Sequence, residues 1–538
     1  MIKHIQNFFL YKKFRDYNFR KLNKIKKNLG NDIVLIEFNS FTIIHIIFSY
    51  FSFLFLKKKY RIISFYSHIL IAYGLKQTIK QKLYRFFSQL LNLGFFGIYK
   101  SFGVDEFIFP KIDKKNELKS IKKKEEILNE LSCKNDILKI NINNIFVGDL
   151  IYDTYLTRNN NQKPTIDIKS EDFKKYLLDF IKLFYFWDDY FENNKVKVIL
   201  TTHGIYTMGI PVRIALKKDL LSLVIKENRL KRLSKQNPFH WCEAEKYPEM
   251  FSKLTNKNKE EALKIAEDRL RERFEGSNKD IPYATRSAFS KDETLVSEID
   301  QNKKTKILIL PHDFVDAPHS GGLFPFPDMY EWIKFLAETS LEKVEYDWYL
   351  KTHPKMGEKW EWYQEFTRKN ISELIKDSRI KTLNPNTSHN KIINSGIDFV
   401  LTIFGTAAHE YAYKNVKVIN GGNINPHYSY NFNKHISNYR DYKETIKNLD
   451  KLNFEINKNK VLEFYYNHYI YCDKNWFFDY DNLLKYLGNY HLQWSADVYN
   501  YWLSYINKSE NFDNYFEKSI EKFILSNDFV FTLDHKKN

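Results

Sequence analysis

Cysteine is scarce in this chain: three among 538 residues, Cys133, Cys242 and Cys472, far apart and never as Cys-x-x-Cys. That usage disfavours a disulfide framework and a thiolate zinc site, and makes a reducing cytoplasm the expected setting. A secretory leader is not expected either, because the start reads Met-Ile-Lys-His-Ile-Gln and turns basic, without a short apolar core and a small-residue cleavage site. An apolar run of the roughly 20 residues that span a bilayer is also absent. The nearest approach is Phe41 to Leu56, followed by Lys57-Lys58-Lys59. Two readings of it stand: the first buried helix of a Rossmann-like domain, after a strand at Ile33 to Phe38, or a helix that dips into a membrane.

What the chain has is apolar and basic. Hydrophobic residues make up 43% and aromatics 17%, enough for packed cores rather than disorder. At roughly 150 residues per domain the length predicts two to four units. The net charge of +18 is spread out and not gathered into an Arg-rich stripe. A nucleic-acid partner is therefore not expected, whereas an attraction to anionic lipid or a polyanionic substrate is. The basic start, Lys3 to Lys27 with Phe8, Phe9 and Leu10 interspersed, is read either as a solvated face or as a peripheral contact with an anionic membrane.

Short β-rich runs alternate with helical patterns, which predicts parallel strands with crossover helices. Strands are expected at Ile33 to Phe38, Tyr60 to Phe65, Glu106 to Phe109, Ile145 to Val147 and Val196 to Thr201, with helices at Leu75 to Leu93 and Phe173 to Asn193. A charged helix is expected from Thr255, its N-cap, to the stop at Gly276. The polar stretch after it leads to a second series: strands at Lys306 to Leu310, Tyr346 to Thr352, Ile397 to Ile403 and Val416 to Asn420, with helices at Asp328 to Thr339 and Ala407 to Tyr413. The expected class is α/β, with two Rossmann-like domains facing across a cleft in the GT-B manner. The expected layout is a basic arm over 1–30, an acceptor domain over 31–276, a linker over 277–304, a donor domain over 305–450, and aromatic-rich helices over 451–538 that pack back on the junction.

Four constellations can carry chemistry. Lys351-Thr352-His353-Pro354 ends one strand, and Phe404-Gly405-Thr406-Ala407-Ala408-His409-Glu410 opens the helix after another. Ligands sit at such strand ends, and basic groups beside an open helix start suit a phosphate. Ser388 and His389 lie on the loop between, and Glu410 is a candidate acceptor for ribose hydroxyls. A dense loop from Pro311 to Gly322 adds His312, with Ser320 and Gly321 as backbone donors for a phosphate cradle. It lacks the His-x-x-x-His spacing of a helical metal site, so no metal is assigned. Thr202-His203-Gly204 follows a strand; His203 is read as an acid, base or acceptor contact, or as a helix cap, with Arg213 as an anion clamp. In Gly148 to Tyr155, Asp153 is the expected base, while Asp149 is either a cap or an acceptor contact.

Gly148-Asp149-Leu150-Ile151-Tyr152-Asp153, Thr202 to Tyr206, His353-Pro354, Thr387-Ser388-His389 and Gly405 to Glu410 together resemble bacterial surface-polysaccharide glycosyltransferases of GT-B type, the relatives of capsular Kdo transferases and bacterial sialyltransferases. The resemblance covers Asp32 to Tyr442 in pattern. It implies a nucleotide-sugar donor, CMP-linked in some relatives, held by the C-terminal domain with His353-Pro354 at its phosphate. It further implies a glycan or glycolipid acceptor on the N-terminal domain and no cofactor or metal. No Asp-x-Asp motif precedes the donor elements, and Gly405-Thr406 stands where many relatives have a Ser pair. Glycerophosphotransfer, nucleotide-sugar epimerisation and a non-catalytic role in polysaccharide assembly are the competing readings.

Overall fold

The first strand is buried at all five positions, as a central parallel strand covered by helices on both faces must be. A computed structural model describes residues 2–25, 28–66, 78–110, 114–158, 163–282, 284, 286–290, 299–354, 361–507 and 512–537. Parts of the expected arm, of the helix from Leu75 and of the linker over 277–304 lie outside the described residues.

The first half contributes β1 (Ile33–Glu37), β2 (Arg61–Phe65), β3 (Val104–Ile108), β4 (Asn141–Ile142), β5 (Ile145–Phe146), β6 (Val196–Thr201), β7 (Leu221–Lys226) and β8 (Arg229–Arg232). The second contributes β9 (Thr305–Ile309), β10 (Tyr346–Leu350), β11 (Ile380–Thr382), β12 (Phe399–Thr402), β13 (Lys417–Gly421) and β14 (Lys434–Ile436). Two six-stranded sheets result, ordered β3-β2-β1-β6-β7-β8 and β11-β10-β9-β12-β13-β14. All pairings are parallel except the β7–β8 hairpin. Each sheet winds outward from its first strand in both directions, so each has a switch point, between β1 and β6 and between β9 and β12. The chain is thus two Rossmann-like domains in the GT-B arrangement.

The helix expected at Phe41 to Leu56 runs from Thr42 to Lys57, and every residue from Thr42 to Leu56 is buried inside the protein. That removes the membrane-dipping reading of this segment. Among the described residues no helix is long and apolar enough to cross a membrane.

Two expectations need correction. Ile145 to Val147 does not join the main sheet. β4 and β5 form a separate antiparallel hairpin, and the chain turns at once into the helix Gly148–Thr157. Gly148 is required there, because a Cβ would fall 2.3 Å from the Ile137 carbonyl oxygen. The helix Asn256–Phe274, assigned from sequence to the first domain, packs on the C-terminal helices and reaches the second domain. Ala266, Leu270 and Phe274 pack on Leu462 and Tyr465, and Arg273 pairs with Glu410. After that, residues from Trp476 to Phe531 cross to the first sheet and share its core with Val34, Ile36, Ile62 and Val198.

Candidate functional site: a cationic pocket at the second switch point

β9, β12 and β10 end side by side, handing the chain to Pro311-His312, to Ile403-Phe404-Gly405-Thr406 and to Lys351-Thr352-His353-Pro354. These ends line one pocket with Arg273, Ile281, Ala284, Arg286, Ala288, His389 and Glu410. Gly405 is needed where the floor is tightest, since a Cβ would stand 2.9 Å from Thr402 Oγ1.

Lys351 is only 3% exposed. Its Nζ lies 3.3 Å from His389 Nε2, and among the described residues no carboxylate forms an ion pair with it. Burial pushes its ammonium down to about 8; Glu410 works against the shift and Arg286 adds to it. His389 is fixed at its other nitrogen, 2.6 Å from the Tyr411 hydroxyl, and burial holds it well below the ordinary imidazole range. His312 stacks on Phe404 with ring centroids 3.8 Å apart, and its Nε2 accepts the Phe404 N–H at 3.4 Å. Burial, then His353, pushes it down to about 3. His353 is exposed at the rim of the pocket; desolvation by the residues around it, then Lys351, pushes it down to about 4. At neutral pH the pocket therefore offers neutral imidazoles around a buried cation, a set that accommodates a phosphate without needing a proton.

Several expected residues are placed otherwise. Glu410 is 2% exposed and accepts from Arg273 Nε at 2.8 Å. Arg273 also bonds Ser277, Asn278 and Ser287, so this pair fastens the segment carrying Arg286 over the pocket rather than leaving Glu410 for a ribose. Ser388 is buried at the start of the helix His389–Asn394 and does not line the pocket. Ser320 and Gly321 stand apart from it: the Ser320 carbonyl accepts the His240 N–H at 2.7 Å, and a Cβ on Gly321 would lie 2.0 Å from the Ile424 carbonyl. Backbone packing, not a phosphate, fills that turn. Arg213 is turned from any anion to Asp149, at 2.5 Å with both side chains buried.

Asp153 is the largest correction. It is 2% exposed and bridges the domains: Oδ1 lies 2.7 Å from His319 Nδ1, and Oδ2 accepts the His319 N–H at 3.1 Å. Burial raises its pKa while His319 opposes the rise. Tyr152 donates to Asp328 at 2.5 Å, Tyr206 donates to Asp316 at 3.0 Å, and the Thr157 hydroxyl donates to the Val315 carbonyl. Helix Gly148–Thr157 thus forms a seam between the two domains. His203 is half-buried, with Nδ1 2.9 Å from Thr202 Oγ1, and lines a small cavity with His240 and Ser320.

A second basin opens beside the pocket and shares Ile281 and Thr406 with it. Its far wall is the β7–β8 hairpin, with Lys226, Arg229 and Lys231, followed by His240 and Trp241. Glu243 neutralises Arg229 and Lys231, at 3.1 and 2.8 Å. Burial, then Lys231, pushes Lys226 down to about 8. Sequence reasoning missed this wall; the signal was a strand, Leu221 to Ile225, that ends in Lys226 and turns back into basic residues.

No family model and no curated protein matches the chain. Solved structures give weak likenesses. One is the KpsC beta Kdo 2,4 transferase of Thermosulfurimonas dismutans, at 10% identity and TM-score 0.29, over 50% of this chain and 79% of that one. Another is a UDP-GlcNAc 2-epimerase from Neisseria meningitidis bound to UDP-GlcNAc, at 10% and 0.23, over 81% and 97%. A third is Anabaena HepE in complex with UDP and glucose, at 9% and 0.21, over 85% and 98%.

Proposed function

We propose that the protein is a glycosyltransferase that takes a sugar from a nucleotide-activated donor and passes it to a glycan or glycolipid acceptor. The observation that carries this reading is Lys351: a buried ammonium without a carboxylate partner among the described residues, at the switch point of the second sheet. A buried cation is costly unless an anion joins it. A donor diphosphate or phosphodiester supplies that anion. His312, His353 and the backbone at Gly405-Thr406 complete the cradle, and the acceptor enters from the basin walled by Lys226 and Trp241.

In the reaction the acceptor hydroxyl forms its bond to the anomeric carbon as the bond from that carbon to the phosphate oxygen breaks, and the electron pair leaves on that oxygen. Negative charge grows there, so the fixed cation contributes most in the transition state. The acceptor proton goes to His203, the candidate base that still reaches solvent, and not to Asp153, which is committed to His319. Glycerophosphotransfer and epimerisation use the same cradle, and product analysis separates them.

The test is calorimetric titration with CMP, CDP, UDP, GDP and ADP in EDTA, on the wild type and on Lys351→Met. Selective binding of one nucleotide that is lost in the variant supports the reading. Absence of binding to all five overturns it.

A further inference from the structure

The helix Ile79–Leu90 is built inside out. It is a well-defined helix: Thr78 Oγ1 accepts the Gln81 N–H at 3.2 Å while Gln81 Oε1 accepts the Thr78 N–H at 2.9 Å, a reciprocal capping box. Ile79, Leu83, Phe86, Phe87 and Leu90 recur at the spacing of one helix face. On a helix packed in the usual sense that face would be buried. Here those five are 77, 52, 57, 51 and 64% exposed, while Ser88 is the buried residue of the helix. Leu91 and Leu93 extend the apolar strip. A patch of this size on a folded protein marks an interaction surface.

We infer that this face docks on an anionic lipid bilayer. The charge pattern selects that occupant: from Ile79 to Leu93 there are three cations, Lys80, Lys82 and Arg85, and no acidic residue. Lys80 and Lys82 are exposed beside the apolar stripe, the arrangement of a helix lying in a headgroup layer. The N-terminal helix adds to the same flank. It packs on the helix Gly94–Ser101, as does the inverted helix, and it exposes Phe8 and Phe9 one turn before Lys12 and Lys13. Arg85 lies over the Phe109 ring, 4.2 Å from its centroid, which sets the inverted helix at the carboxyl end of β3. His203 stands at the carboxyl end of β6 in the same sheet. A bilayer on this flank therefore meets the edge where the cleft opens, and a lipid-linked acceptor would have a short route into it.

The experiment is cosedimentation of the full chain with vesicles of phosphatidylcholine alone and of phosphatidylcholine mixed with phosphatidylglycerol, together with its mass in solution by light scattering. Wild type should bind the anionic vesicles. Leu83→Glu with Phe87→Glu should weaken that binding by at least roughly tenfold with an unchanged melting temperature, since both side chains are already exposed. Lys80→Glu with Lys82→Glu should do the same and leave the mass unchanged. Equal binding to neutral vesicles, no binding by wild type, or unchanged binding by the Leu83/Phe87 variant overturns the inference. So does a wild-type dimer that the apolar substitutions convert to monomer, because a second copy would then cover the face. Nucleotide titration is a separate readout, so loss of lipid binding and loss of the transferase reading are distinguishable.

Discussion

At the switch point of the first sheet, Glu37 at the end of β1 receives the Thr201 hydroxyl, the Thr202 N–H and the Thr202 hydroxyl at 2.8, 2.6 and 2.7 Å. At the same place in the second sheet stand His312, Gly405 and, one strand over, Lys351. The first crevice closes on itself: its buried carboxylate is met by donors from the neighbouring strand, and those contacts tie β1 to β6. The second keeps a buried cation that forms no ion pair with a carboxylate among the described residues. One topology thus yields a crevice that its own chain fills and, in the proposed reading, a binding crevice, and the distinction lies in whether the chain itself satisfies the buried charge.

The largest effect should come from removing what holds the second crevice in shape. Arg273→Ala strands Glu410 in the interior, and breaking a buried pair in this way costs about 3–5 kcal/mol. Chemical denaturation should show that loss, and nucleotide affinity should fall with it because the segment bearing Arg286 is released. Stability lost with affinity intact would mean that the pair supports the helices and not the pocket. Next is Lys351→Met, which should lower the transfer rate by about 100- to 1000-fold, the effect of deleting one preorganised charge stabiliser, while the melting temperature holds or rises. A fall in melting temperature would make Lys351 a structural residue and erase the contrast between the crevices.

Glu37→Ala probes the other side. Three donors lose a charged acceptor, at a cost of about 2–3 kcal/mol, and nucleotide affinity should not change. Altered affinity with unchanged stability would show that the first crevice also binds. Asp153→Asn is smaller still, about 1–2 kcal/mol, since the amide retains one acceptor for His319. Rate and stability should fall together modestly; a collapse of the rate with intact stability would restore Asp153 as the base.

These substitutions also mark what could be read from the sequence. Apolar runs that stop at Lys351-Thr352-His353 and Phe404-Gly405-Thr406 declared the strand ends, and strand ends in a parallel sheet converge, so the pocket was legible. Ion-pair partners were not. Asp153 meets a residue 166 positions away, Glu410 one 137 away and Arg213 one 64 away. A carboxylate in the sequence looks the same whether it faces a substrate or a distant cation, and only the packing of two domains decides. The helix Ile79–Leu90, expected within Leu75 to Leu93, was legible as a helix for the same reason that its orientation was hidden: periodicity gives the stripe, not the side on which the protein lies.

The finest test of the contrast is a pH dependence. Lys351 has its folded pKa pushed to about 8, below the ordinary lysine value of 10.5. Between those values the unfolded chain binds more protons than the folded one, so stability rises with pH through that window. Below the folded value both states are protonated and the cost of the buried charge is constant. From pH 8 to pH 9 the wild type should gain about 1 kcal/mol relative to Lys351→Met, which cannot titrate there. Other groups titrate in both proteins and cancel in the difference. A saturating nucleotide should abolish the gain, because an anion beside the ammonium returns its pKa toward the unfolded value. A gain that persists with ligand bound would place the anion elsewhere, and the second crevice would then be no more a phosphate site than the first.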